Sequence, residues 1–132
     1  MKSKVVPIDV GSQKYDVFNV FVGEIDEQNQ IVESERVGIA FLKGKSKVFS
    51  LRLWMFDSMK YFVAPNDDDS TKYDLLALEE YTARDGEEKS QWHKVGQGQY
   101  FGNYLKLKFH VLERELYLSL FPNRKESHES AA

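Results

Sequence analysis

Lys14-Tyr15-Asp16 recurs 58 residues later as Lys72-Tyr73-Asp74, and at the same offset Val37-Gly38 recurs as Val95-Gly96 and Gly44 as Gly102. A domain written twice constrains its own fold, because two like halves must then share one core. Between residues 14 and 38 the offset runs without a gap and gives five identities, where roughly one or two would follow from ordinary residue usage. Conservative pairs extend it: Val17 with Leu75, Phe18 with Leu76, Val20 with Leu78, Arg36 with Lys94. Beyond the glycines the offset falls to 56, and Leu51/Leu107, Arg52/Lys108, Asp57/Glu113 and Tyr61/Tyr117 line up. The repeats are assigned to residues 14–65 and 72–122, joined by an acidic linker at 66–71. Residues 1–13, with Val5, Val6, Ile8 and Val10, are expected to form an arm or an edge strand, and 123–132 a mobile polar tail.

Each half reads as strand. Residues 15–22 are β-branched and aromatic and lead into the polar loop Asp26-Glu27-Gln28-Asn29. A second strand is expected from about Glu35 to Leu42, then a turn through Lys43-Gly44-Lys45-Ser46. From Val48 to Trp54, Phe49, Leu51 and Leu53 alternate with Ser50, Arg52 and Trp54, which marks a strand with one face buried. A turn at Phe56-Asp57-Ser58 and a strand from Lys60 to Ala64, stopped by Pro65, complete the half. Lys72 to Tyr81 has helical composition behind the caps offered by Asp69-Ser70-Thr71. The repeat nevertheless lays it over the first strand and predicts strand. Gly102-Asn103 joins two alternating runs, the pattern of a two-residue type II′ hairpin with positive φ at the glycine. Gly38 and Gly96, inside strands, predict a bulge or a close backbone approach. The expected fold is all-β: two four-stranded antiparallel units forming one barrel or sandwich of about eight strands.

Composition bounds the function. A chain of 132 residues suits one domain with an ordinary core. With 42% hydrophobic and 14% aromatic residues it is too apolar for disorder, and no apolar run is long enough for a membrane helix. Without cysteine there is no disulfide framework, thiolate metal site or thiol nucleophile. Met1 to Pro7 has basic residues but no apolar stretch after them, so no secretory signal is expected and the cytoplasm is the assigned compartment. A net charge of −3 supplies no global basic field, and nucleic-acid binding would need a local patch.

Trp92-His93-Lys94-Val95-Gly96-Gln97-Gly98, followed by Gly102 and the run Tyr104-Leu105-Lys106-Leu107, resembles small bacterial β-domains of unknown function. Those domains carry a W-x-x-V-G-x-A/G segment before a Gly turn. The resemblance implies an all-β domain with no assigned activity. The first half departs from the pattern, with Ser34 in place of the tryptophan and a longer turn through Lys45-Ser46-Lys47-Val48.

The candidate site follows from alternation. If Phe49, Leu51, Leu53 and Leu105, Leu107, Phe109 point inward, then Ser50, Arg52, Trp54 and Lys106, Lys108, His110 point outward on equivalent strands. Cations and rings on one sheet face suit single-stranded nucleic acid, cations tracking phosphates and rings stacking on bases. Lys43, Lys45, Lys47 and Lys94 would extend that face. The plainer account is the solvated side of a half-covered sheet.

Other motifs point to no chemistry. Gly96 to Gly102 is glycine-rich, but a strand follows where a phosphate loop needs a helix. Asp67-Asp68-Asp69 lacks the spaced ligands of a calcium loop. His93, His110 and His128 stand singly, and the acidic runs Glu79-Glu80 and Glu87-Glu88 have no evident acid/base partner. The reading is a non-catalytic binding module without cofactor or metal. Its partner is single-stranded nucleic acid or, alternatively, a protein or second copy meeting an edge strand or an aromatic surface of Trp54, Met55, Phe56, Tyr100 and Phe101.

Overall fold

The computed structural model describes residues 15–56 and 58–123. The expected N-terminal strand, Asp57 and the tail beyond Asn123 lie outside the described residues. Eight strands follow one another: β1 Tyr15–Ile25, β2 Ile31–Lys43, β3 Phe49–Leu53, β4 Lys60–Pro65, β5 Lys72–Thr82, β6 Glu88–Phe101, β7 Tyr104–Phe109 and β8 Leu116–Pro122. Each pairs antiparallel with the next, and β8 pairs with β1 to close a barrel. Closure removes the free edges that a sandwich would leave around its wall.

The barrel interior is filled by the alternating sets. Phe49, Leu51 and Leu53 of β3 and Leu105, Leu107 and Phe109 of β7 are all buried, and they pack with Phe18, Val20, Val63, Leu75 and Leu118. Burying each such side chain contributes roughly 1.5–3 kcal/mol. The same force decides Lys72–Thr82, where strand defeats helical composition. Leu75 and Ala77 are buried, while the backbone pairs with β4 on one side and β6 on the other. No helix among the described residues is long and apolar enough to cross a membrane. The wall positions include Arg52, Asp74, Lys94, Lys106 and Lys108 around an apolar interior, the inverse of a lipid-facing barrel.

Gly38 and Gly96 do sit at bulges. Val20 pairs with Gly38 and Phe21 with Arg36, leaving Val37 extra; Leu75 pairs with Gly96 and Leu76 with Lys94, leaving Val95 extra. The two extra residues are used alike, since the Val37 carbonyl accepts from the Trp54 N–H at 3.1 Å and that of Val95 from the His110 N–H at 2.9 Å. A Cβ on Gly38 would run into the Arg52 carbonyl oxygen, and one on Gly96 into that of Lys108. Turns match as well. Gly44 and Gly102 have φ of 46° and 59°, and positive φ at Gly102 but not Asn103 is the expected type II′ geometry.

Pairing register corrects the sequence alignment. Because Gly38 faces Val20 and Gly96 faces Leu75, Val20 occupies the position of Leu75 rather than of Leu78. By the same ladder, Val63 opposite Phe49 and Leu118 opposite Leu105 match Phe62, not Tyr61, to Tyr117. In the first pair of strands the cause is ladder length: seven pairs follow Leu75–Gly96 but only five follow Val20–Gly38, and the four extra residues outweigh the one that a second register shift between Val22 and Gly23 adds to β2. Strand limits also move: β2 begins at Ile31, and β3 spans Phe49–Leu53.

Two hairpins outrun the barrel. β3 pairs with β2 only from Gly38, and β8 with β1 no further than Val22, so the β1–β2 tip is a two-stranded arm. β4 reaches β5 only at Leu78 and β7 reaches β6 only at Gly96, which frees a second arm at the β5–β6 tip. The first arm bends at its extra bulge, where Gly23 lies so close to Val32 that a Cβ would strike its carbonyl oxygen. It then lies against β7 and β8: Tyr104 donates to Glu33 Oε2 at 2.6 Å, and Arg114 Nη2 to the Gly23 carbonyl at 3.3 Å. Tyr117 is consequently only 2% exposed although it alternates with the inward Leu116 and Leu118. The second arm keeps unbroken register from Leu76–Lys94 to Thr82–Glu88, with no second bulge to bend it.

Candidate functional site

Barrel closure puts β3 and β7 on opposite walls, four strands apart. The expected single face is therefore two. Arg52 and Trp54 lie on one wall with Lys43, Lys45 and Lys47 in or beside the β2–β3 loop below them, all exposed. Lys106, Lys108 and His110 lie on the other wall. That second wall is occupied by its own structure: Lys108 Nζ donates to the carbonyls of Leu112 and Glu113, and Lys106 Nζ sits 5.5 Å from the Phe101 ring centroid. His110 is exposed at the head of β7. Lys94 is also committed, 3.3 Å from Asp74 Oδ1.

Arg52 holds the position equivalent to Lys108 but differs in what surrounds it. It forms no hydrogen bond or ion pair among the described residues, and the gap that Lys108 plugs on its own wall is open here. β3 and β4 part beyond the Leu51–Tyr61 pair, leaving a groove of about 430 Å³ lined by Phe41, Ser50, Arg52, Met59, Lys60 and Phe62 along its outer side. No carboxylate lines it among the described residues. Lys60 is held 3.2 Å from Glu80 of β5, a pair exposed enough for solvent to screen it.

Rings border the groove. Phe41 packs edge-on against Tyr15, with centroids 5.7 Å apart, and Phe62 against Trp92 at 5.2 Å. Trp54 lies under the Arg36 guanidinium, 5.1 Å from its centroid, a stacked cation–π pair. Phe41, Phe62, Lys60 and Arg36 escaped the sequence reading. Phe41 and Phe62 are outward by simple alternation with Ala40 and Val63, so part of the signal was present. That Trp92 of β6 reaches Phe62 of β4 across β5 required the strand order.

The rival aromatic surface is likewise divided. Trp54, Met55 and Phe56 lie at the barrel mouth formed by the β3–β4 and β7–β8 loops, whereas Tyr100 and Phe101 flank the β6–β7 turn at the opposite end. The Tyr100 hydroxyl is 2.7 Å from that of Tyr73, and burial of Tyr73 raises its phenol pKa. At the mouth Met55 and Val111 are 80% and 84% exposed. Two apolar clefts of about 240 Å³ open there, one between Val37, Leu53, Leu112 and Leu116, the other between Phe56, Tyr61, Val95 and Phe109.

The remaining candidates have structural roles. Asn66 Oδ1 accepts from the N–H groups of Asp68 and Asp69, and Asp69 from the Thr71 hydroxyl at 2.6 Å, which lowers the Asp69 pKa. His93 Nε2 is 2.9 Å from Glu79 Oε1 on the second arm. No group of three metal-ligating side chains occurs among the described residues.

Fold and groove together define an eight-stranded antiparallel barrel with an external basic and aromatic groove. Comparison of the chain with family models, with curated proteins and with solved structures gives no match.

Proposed function

We propose that this barrel is a non-catalytic cytoplasmic binding module that holds single-stranded nucleic acid along the outer wall of β2–β4. The observation that carries the reading is the groove at Arg52: two cations, flanking rings and, among the described residues, no lining carboxylate. Phosphates would meet Arg52 and Lys60, and bases would stack on Phe41 and Phe62, each stack contributing roughly 1–3 kcal/mol. Lys43, Lys45 and Lys47 lead the chain away from the lower end. Lys106, Lys108 and His110 fall outside this site, because the first arm and the β7–β8 loop occupy their wall.

The wall differs in its two halves although we propose that they arose by tandem duplication, on the support of the matched bulges and turns. One copy kept the groove. The other closed it with Lys108.

A fluorescent single-stranded oligonucleotide titrated at low and high salt tests the proposal. Expected is binding that weakens steeply with salt, since each phosphate contact releases counterions. Absence of binding at low salt rejects it. A protein partner at the mouth is the second reading, favoured by the exposure of Met55 and Val111 beside two apolar clefts.

A further inference from the structure

The second arm has an unused edge. Across its turn the Ala83 N–H bonds the Glu87 carbonyl at 2.8 Å, and hydrogen-bonded pairs alternate along an antiparallel ladder from such a bond. Tyr81–Lys89 and Glu79–Gln91 are then the mutually bonded pairs, and the N–H and C=O groups of Glu88, Ser90 and Trp92 turn away from β5. β7 does not reach them, because its pairing with β6 begins at Gly96. Glu88, Ser90 and Trp92 are exposed, Trp92 by 54%. The first arm leaves no comparable element, since it is bent onto β7 and β8.

We infer that the β6 edge of this arm pairs antiparallel with the same edge of a second copy, centred on Gln91. A two-fold axis through Gln91 sets Ser90 opposite Trp92 of the other copy and Glu88 opposite Lys94, each twice. The bonding groups of Ser90 and Trp92 face outward in this register, so they satisfy one another across the axis. Charge fits as well, with an acid against a base at both ends. Isologous pairing of this kind closes after two copies. The free edge of β5 offers only Glu80 and Thr82 beside Glu79 and is a poor template for itself. An unbroken register supports the pairing, because an unbulged ribbon presents a continuous edge that can extend into a four-stranded sheet, whereas the bulged first arm does not. The contact is small and the dimer is accordingly weak.

Sedimentation velocity of the full chain, taken to roughly millimolar concentration because small interfaces are weak, reads the association directly. Reversible dimerisation is expected. Ser90→Pro removes one N–H from the free edge without touching the β5 ladder, and should weaken association by about tenfold or more with the melting temperature little changed. Glu88→Lys should also weaken it, through repulsion from Lys94 of the other copy. The double variant Glu88→Lys, Lys94→Glu should restore it, as loss of the Thr82 hydrogen bond or of the Lys94–Asp74 pair alone would not. A monomer at every concentration, or a dimer indifferent to both single variants, overturns the inference. Failure of the double variant to recover association overturns the register.

Discussion

Tyr104 donates its hydroxyl to Glu33 across 71 positions of sequence, at 2.6 Å, and this bond ties the first arm to the outer face of β7. Burial first, then the hydrogen bond and charge of Glu33, push the Tyr104 phenol up to about 12. In the unfolded chain a tyrosine ionises near pH 10. The native state thus favours the neutral phenol, and its contribution to stability is complete below about pH 10 and lost as pH climbs toward 12. Absorbance at the tyrosinate band, compared between wild type and Tyr104→Phe, should reveal one late-ionising phenol that Glu33→Gln brings to lower pH. If Tyr104 ionises together with the exposed tyrosines, the arm is not held this way.

Replacing Tyr104 by Phe at neutral pH should cost about 1 kcal/mol, the net value of a hydrogen bond to a charged group at a site open to water. The loss should concentrate in the arm. Amide exchange in Gly23–Glu33 should accelerate while that of β3 and β4 stays unchanged; uniform acceleration would mean that the arm opens only when the barrel unfolds.

Gly96→Ala and Gly38→Ala should each destabilise by about 2–4 kcal/mol, because the new methyl meets backbone that cannot retreat. Gly98→Ala gives the contrast. Its Cβ would approach the end of the Leu107 side chain at 3.0 Å, which can shift, so a cost near 1 kcal/mol is expected. Urea melts of the three variants decide the matter, and equal losses would remove the bulge argument.

For the groove, Arg52→Gln and Lys60→Gln should each weaken oligonucleotide binding across sequences and flatten the salt slope by about one unit. Phe62→Ala should lower affinity by roughly 1–3 kcal/mol with the slope nearly unchanged, as should Trp54→Ala. Lys106→Gln should leave both quantities as they were. An equal effect of Lys106→Gln would return the site to the opposite wall or spread it over both.

Leu75→Ala, at the inward position that Val20 holds in the other half, should cost about 2–5 kcal/mol by opening a cavity in a filled interior. Leu76→Ala, next to it on the wall, should cost much less. Chemical denaturation of the pair checks which face of β5 is internal.

The alternation of Phe49, Leu51 and Leu53 with Ser50, Arg52 and Trp54 was legible in the chain because burial on one face of a strand imposes a period of two. The same logic, carried across the 58-residue offset, assigned Lys72–Tyr81 to strand against its local propensity. Gly102-Asn103 was legible because only certain backbones close a two-residue turn. Register was not. Val20 matches Leu75 because the β5–β6 ladder runs two pairs further past its glycine than β1–β2 does, against one extra bulge in β2, and neither ladder length nor a bulge leaves a mark in composition. Nor could the chain show that Arg52 and Lys108, alike in sequence position, have different fates. Lys108 is spent on the carbonyls of its own loop, on a wall where an arm bent at Gly23 is tied down to Tyr104, while Arg52 borders an open groove. Local periodicity determines which side chains face the core; the closing of the barrel and the folding of its arms decide which of the outward ones meet solvent together.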